Sequence, residues 1–182
     1  MPMPPRQLDH QQISHVFLKP GEMYLTRHPA VIQTVLGSCV SVIFYNARIS
    51  AAAMCHALLP RCKEGSYCDE GGVVTYRYVD SSVNRMLAEF SKLGISGQDI
   101  EAKLFGGASM FEKEKANEPS RLIGNQNVVM ARQLLDQAGV NLVSFDTGGY
   151  QGRKLFFKSD TGEVLVKLIQ KMDLIDLGNP LL

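Results

Sequence analysis

Residues 34–45, TVLGSCVSVIFY, carry the pattern that most limits what this chain can fold into. Val40, Val42 and Phe44 alternate with Cys39, Ser41, Ile43 and Tyr45, a period of two that sends successive side chains to opposite faces of a strand. A second apolar run, residues 49–60, follows Asn46, Ala47 and Arg48, and Asn tolerates the left-handed backbone that tight turns use. The two runs are expected to form one long hairpin. Centred between Ala47 and Arg48, it pairs Asn46 with Ile49 and so on outward, until Cys39 faces His56. Opposed side chains share a face with Cβ atoms about 4.5–5.5 Å apart, a spacing at which a thiol and an imidazole exchange a proton. An odd-length loop shifts this register by one and separates the pair.

The chemistry such a pair offers is nucleophilic. A thiol titrates near 8.5, roughly, and attacks carbon as the thiolate; an imidazole partner lowers that value by stabilising the ion pair and then returns its proton to the leaving group. Gly37 and Ser38 leave backbone N–H groups unshielded beside Cys39, as an oxyanion hole requires. Thr34, five residues upstream, is placed to hydrogen-bond the imidazole and hold its ring. The competing account of Cys39 is packing, because free cysteine is among the most buried residue types. For Cys55, beside His56 and on the opposite face of its strand, packing is the preferred account.

The 182 residues, 45% hydrophobic, suffice for one good core. Nineteen basic against eighteen acidic residues give no field that attracts nucleic acid or an anionic membrane. The uncharged stretch 29–47 contains Gln33, Thr34, Gly37, Ser38, Ser41 and Asn46, which suits a buried hairpin and not a membrane span. The N-terminus has no basic start followed by an apolar block and a small-residue cleavage site, so a cytoplasmic location is expected. Cys39, Cys55, Cys62 and Cys68 form no C-x-x-C pair and are expected to be free thiols, with no metal and no cofactor.

Residues 1–14, opening with Pro2, Pro4 and Pro5, are expected to be a flexible extension, 15–171 the domain, and 172–182 a tail. His15 and His28 fall at the edges of short apolar runs and are expected at the surface. A loop over 60–72 follows the His56 strand. Tyr76, Val79, Val83, Met86, Leu87 and Phe90 recur at helical spacing up to Gly94, with Asp80 in a helix-start or surface role. Residues 102–105 form a strand that runs into Gly106 and Gly107, where the backbone must approach something closely or adopt positive φ. No Gly-Lys-Ser/Thr follows, so this is not a phosphate loop. A second helix opens near Ile123 with Val128, Ala131, Leu135 and Ala138 inward; residues 142–145 are a strand, and 154–158 with 164–169 a hairpin. The expected fold is α/β: a mixed sheet with two helices on one face and further strands on the other. The glycine-rich segments at 37, 106–107 and 148–149 all lie at strand ends and are able to converge.

Five ordered motifs then carry a resemblance: Thr34-Val-Leu-Gly-Ser-Cys39-Val, Met54-x-His56-x-x-Leu-Pro60, Gly106-Gly-Ala-Ser-Met-Phe111, Ile123-Gly-x-x-Asn127, and Asp146-Thr-Gly-Gly149 followed by Gly152-Arg153. Together they resemble the chemoreceptor glutamine deamidases, the CheD family, over about residues 15–169. The resemblance implies a three-layer α/β/β sandwich related to bacterial toxin deamidases, acting on glutamines of chemoreceptor cytoplasmic domains. It implies Cys39 as nucleophile, His56 as general acid and base, and Thr34 as the orienting hydroxyl, with Gln33 at the alternative position for the third member. The CheC phosphatase is the partner it implies. Gln126 stands where the family often has arginine. Two other readings compete: a non-catalytic adaptor using the same surface, and another cysteine hydrolase, such as one acting on receptor glutamate methyl esters.

Overall fold

The structure, a computed structural model, describes residues 13–62, 69–70, 73–74, 76–109 and 122–169. In chain order the strands are β1 (Ser14–Phe17), β2 (Met23–Thr26), β3 (Ala30–Leu36), β4 (Val40–Asn46), β5 (Ala51–Cys55), and the short pair β6 (Asp69–Glu70) and β7 (Val73–Val74). Helix α1 (Val79–Lys92) follows, then a 3-10 turn (Gly97–Asp99), β8 (Glu101–Gly106), α2 (Ile123–Gln137), β9 (Asn141–Thr147), β10 (Gly152–Lys158) and β11 (Val164–Ile169). Of the expected extension only Ile13 and Ser14 are described, and Ser14 already opens β1; the expected tail lies outside the described residues.

Two mixed sheets organise most of these elements, while β6 and β7 pair with each other, antiparallel. One has the order β1-β3-β10-β11, with β1 parallel to β3 and the rest antiparallel. The other has the order β2-β5-β4-β8-β9, antiparallel except for β8 with β9. The alternation of β4 and β5 builds a core on each face of this second sheet. Val40, Val42, Phe44, Ala53 and Cys55 face α1 and α2, meeting Val83, Met86, Phe90, Ala131 and Leu135. Ile43, Tyr45, Ala52 and Met54 face the first sheet, meeting Ile32, Leu36, Leu155 and Phe157. Strands wholly buried on both sides read as continuous apolar runs, and every residue of β4 and β5 is buried. Helices, sheet and sheet thus stack in three layers.

Both helices arise as their spacing predicts. The buried positions of α1 are Val79, Ser82, Val83, Met86 and Phe90, one stripe of a 3.6-residue repeat, and Asp80 sits in its first turn accepting the Ser81 N–H at 2.6 Å. Those of α2 include Val128, Ala131 and Leu135.

Two expectations are corrected. Residues 34–45 are not one strand: the alternation continues, but the chain leaves the first sheet after Leu36 and joins the second at Val40. The hairpin register also differs, since Phe44 faces Ala53 and Val40 faces Ala57, two residues further along β5 than expected. The connection is a four-residue loop, 47–50, in which Asn46 Oδ1 accepts the Ile49 N–H at 3.2 Å and Ser50 takes φ 52°. A shift of two leaves every side chain on its expected face, so Cys39 and His56 become diagonal neighbours on one face, about 7–8 Å apart by ladder geometry.

Candidate active site

The crossing from sheet to sheet at Gly37, Ser38 and Cys39 is held carbonyl by carbonyl. Gly37 C=O accepts from Ala108 N–H at 2.9 Å, Ser38 C=O from Asn127 Nδ2 at 3.0 Å, and Cys39 C=O from Gly107 N–H at 2.8 Å. Gly106 and Gly107 have φ of 105° and 70°, and a Cβ on Gly106 would collide with the Cys39 carbonyl oxygen. Close approach and positive φ are thus both needed there. The third glycine segment joins them, with Gly148 N–H on Gly106 C=O at 2.9 Å and Ser109 N–H on Gly149 C=O at 2.8 Å. Arg153, paired in register with Leu36, anchors that segment through Asp146 at 2.7 Å and Gly148 C=O at 2.9 Å. All three glycine segments converge.

At this convergence the half-buried Cys39 opens into a cleft of about 390 Å³, walled by Leu58, Leu59, Leu122 and Ile123 and edged by Arg77 and Ser109. Among its lining residues Cys39 is the one strong nucleophile. Burial pushes its thiol above the ordinary value, with its own backbone N–H pulling the other way. Cys55 differs: fully buried toward the helices, its thiol is pushed up to about 11 by desolvation and it serves packing. Cys62 is disulfide-bonded and not the free thiol expected, and Cys68 lies outside the described residues.

His56 sits between the two sheets, 2% exposed. Its Nδ1 is 2.8 Å from Thr34 Oγ1, and the same hydroxyl donates to Leu18 C=O at 2.8 Å. A hydroxyl has one hydrogen, so with it committed to Leu18, Thr34 accepts from Nδ1–H. The lone pair of the neutral ring is thereby assigned to Nε2. That atom is buried and has no hydrogen-bond partner among the described residues. Gln33 falls on the opposite face of β3 from the buried Thr34 and does not meet the ring. Desolvation lowers the His56 pKa to about 4, against weaker upward pulls from the Leu18 carbonyl and the Glu22 charge. The expected resting thiolate–imidazolium pair is therefore corrected to a neutral thiol and a neutral imidazole. At both groups the loss of water around a charge is the largest influence, and for His56 it outweighs the pull of Glu22.

This depressed pKa is also a statement about stability. A base whose folded pKa lies below its unfolded value of about 6.5 stabilises the fold fully above that value and loses the contribution as pH falls toward about 4. The expected loss between neutral pH and pH 4 is about 3 kcal/mol. Urea unfolding at a series of pH values checks it: wild type should lose more stability on acidification than His56→Gln, which has nothing to titrate there. Parallel curves for the two proteins are the contrary result.

Asn127 was legible as part of a motif but not as part of the site. It is fully buried, and its Nδ2 reaches both Ser38 C=O and Leu58 C=O, at 3.0 and 2.9 Å. Its place four residues into α2, where an apolar residue fits the helical stripe equally well, was the signal. His15 and His28 are exposed as expected and take no part. No group of metal-ligating side chains occurs among the described residues, and no described helix is long and apolar enough to cross a membrane.

Residues 58–168 match the family model described as CheD chemotactic sensory transduction. A "Probable chemoreceptor glutamine deamidase CheD 2" of Geobacter sulfurreducens is 44% identical over 90% of this chain and 96% of its own. A "Probable chemoreceptor glutamine deamidase CheD" of Maridesulfovibrio salexigens is 38% identical over 93% of this chain and 98% of its own. Among solved structures, the hypothetical protein YfiH of Bacillus licheniformis superposes with a TM-score of 0.44 at 14% identity, covering 70% of this chain and 49% of that one, a likeness too loose to carry an argument. On the extent of the family match and on relatives aligned along nearly their whole length, the chain belongs to the CheD family.

Proposed function

We infer that the protein is a chemoreceptor glutamine deamidase, converting receptor glutamines to glutamates with release of ammonia. The observation that carries the chemistry is the Leu18–Thr34–His56 hydrogen-bond chain, which leaves a buried Nε2 with no hydrogen-bond partner among the described residues, on the same face as Cys39, the residue that lines the open cleft. In this reading Nε2 takes the Cys39 proton as Sγ attacks the side-chain carboxamide carbon of glutamine. Because both groups rest neutral, the transfer accompanies attack and does not precede it. The tetrahedral oxyanion forms beside the backbone N–H of Cys39. The C–N bond then breaks as His56 returns the proton to nitrogen, leaving ammonia and a thioester. Water attacks the thioester with its proton passing to Nε2, the C–S bond breaks, and the proton returns to sulfur. The atoms balance without a metal or cofactor.

Family membership carries further parts of the same proposal. The substrate in this reading is the cytoplasmic helical bundle of a receptor, which an open cleft admits more readily than a closed pocket would, and a substrate of that kind supports a cytoplasmic location. Kinship with bacterial toxin deamidases is supported by the layering of helices, sheet and sheet. A complex with the CheC phosphatase is tested by co-purification. The activity itself is tested by incubating the protein with receptor cytoplasmic fragments and mapping peptides by mass. Conversion of glutamine to glutamate with matching ammonia release is expected. Chain cleavage or methyl-ester loss in its place would point to another cysteine hydrolase.

Thr34 allows a finer test. Loss of one hydrogen bond to the ring is worth about 1–3 kcal/mol, hence about tenfold to a few hundredfold in turnover if the whole effect falls on the transition state. Thr34→Ala should lose that much and Thr34→Ser should recover most of it, because the hydroxyl still bridges Leu18 and Nδ1. Equal impairment of the two, at wild-type melting temperature, would show that the methyl group matters and the hydroxyl does not.

A further inference from the structure

We infer that Asn127 is a positioning residue, a strut that sets the separation between the Cys39 loop and the end of the strand carrying His56; the inference rests on the reading of Cys39 and His56 given above. The ladder between β4 and β5 makes its last exchange at Val40 and Ala57, with both hydrogen bonds at 2.9 Å. Beyond it the two backbones part. On one side Leu58 and Leu59 turn their N–H groups to the Arg77 carbonyl, at 2.8 and 3.0 Å. On the other, Gly37 and Cys39 turn their carbonyls to the N–H groups of Ala108 and Gly107. Ser38 C=O and Leu58 C=O remain, one on each parted strand, and a single nitrogen, Asn127 Nδ2, takes both.

An amide nitrogen has two hydrogens in one plane, and both are committed here. Serine offers one, an ionised aspartate none, so the pair of carbonyls fits a primary amide in particular. The strut is itself anchored. Gly124, one turn earlier on α2, lies so close to Gly107 that a Cβ on it would come within 2.5 Å of the Gly107 carbonyl oxygen. The cleft beside Cys39 opens where the strands part, so its width follows from the length of this side chain. Asn127 Oδ1 is buried with no hydrogen-bond partner among the described residues. A buried acceptor left unmatched is unfavourable, so the residue is not the one that stability alone would select. Its worth lies in what the nitrogen holds.

The readout must separate alignment from mere folding. Alkylation of Cys39 by iodoacetamide has two routes: one assisted by neutral His56, flat with pH above the imidazole pKa, and one through the free thiolate, which climbs at alkaline pH. Misalignment lowers the flat portion and leaves the alkaline limb. Asn127→Ala should cut the plateau rate at neutral pH by about tenfold or more, in line with the sensitivity of such reactions to small displacements. The kcat for receptor-fragment deamidation should fall in step, with KM within about twofold. Ala131→Gly, buried on the same helix and touching neither carbonyl, serves as the destabilised control and should keep the wild-type ratio of plateau to alkaline limb. Asn127→Ser keeps one donor, should fall between, and decides the matter if the alanine variant does not fold. A wild-type ratio in a folded Asn127 variant overturns the strut. A wild-type protein with no plateau overturns the Cys39–His56 reading and the strut with it.

Discussion

Cys39→Ala should abolish deamidation of receptor fragments, by on the order of 10⁴-fold or more, because a covalent route without its nucleophile has only binding and the surrounding dipoles left to it. Stability should change little. The side chain is half-buried at a cleft floor, and losing one sulfur there opens no sealed cavity. Cys39→Ser is the stricter version. It keeps the size and one hydrogen-bonding group, but a hydroxyl is a far weaker nucleophile at neutral pH, and His56, with a pKa lowered to about 4, is a weak base for activating it. Both variants should therefore be nearly inactive while still binding receptor fragment. Peptide mass mapping with ammonia release reads the first property, and co-sedimentation with the fragment reads the second. Retained deamidation in either variant would exclude a Cys39 thioester. A serine variant that preserves chemotactic adaptation in cells without deamidating would favour the adaptor reading.

Much of this was legible in the sequence because it is written in local periodicity. The helical stripe of α1 and the inward face of α2 needed no tertiary information, and the two-residue alternation through β4 and β5 put Cys39 and His56 on one face. That placement survived an incorrect register because the error was an even number of residues. What was not legible depends on distant partners. The alternation runs without interruption past Gly37, and nothing local says that the chain changes sheets there. The donors that turn it, on Gly107, Ala108 and Asn127, lie some seventy to ninety residues further along. The loop after Asn46 is closed by that residue's own side chain, which also reaches the Asp99 carbonyl at 2.8 Å, so its length was set by a contact outside the hairpin. The protonation state was misread for a related reason. Pairing alone predicts an ion pair, whereas burial between two sheets, visible only once they are stacked, penalises both charges.

His56→Ala should lower deamidation by about 10²- to 10⁴-fold, the range for losing a general acid–base group. The group has two turns to serve, taking the thiol proton and protonating departing ammonia, and amide nitrogen is a poor leaving group without the second. The loss should therefore be larger for glutamine than for an activated thioester or ester substrate, whose leaving group needs less help. The pH dependence of Cys39 alkylation gives the sharper signature. In wild type the rate should rise through about pH 4 as His56 becomes neutral, hold level, and rise again only when the thiol itself ionises, above its ordinary value because of burial. The alanine variant should show the second rise alone. The Thr34 hydroxyl keeps its bond to Leu18 in the variant, so losing the ring does not strand the group that held it. If the level portion persists without the imidazole, some other base serves Cys39. Nε2 would then be a packing feature of the space between the sheets, and Ser41, buried on the same face, opposite His56 by the observed register and with a hydroxyl that has no partner among the described residues, would be the next group to substitute.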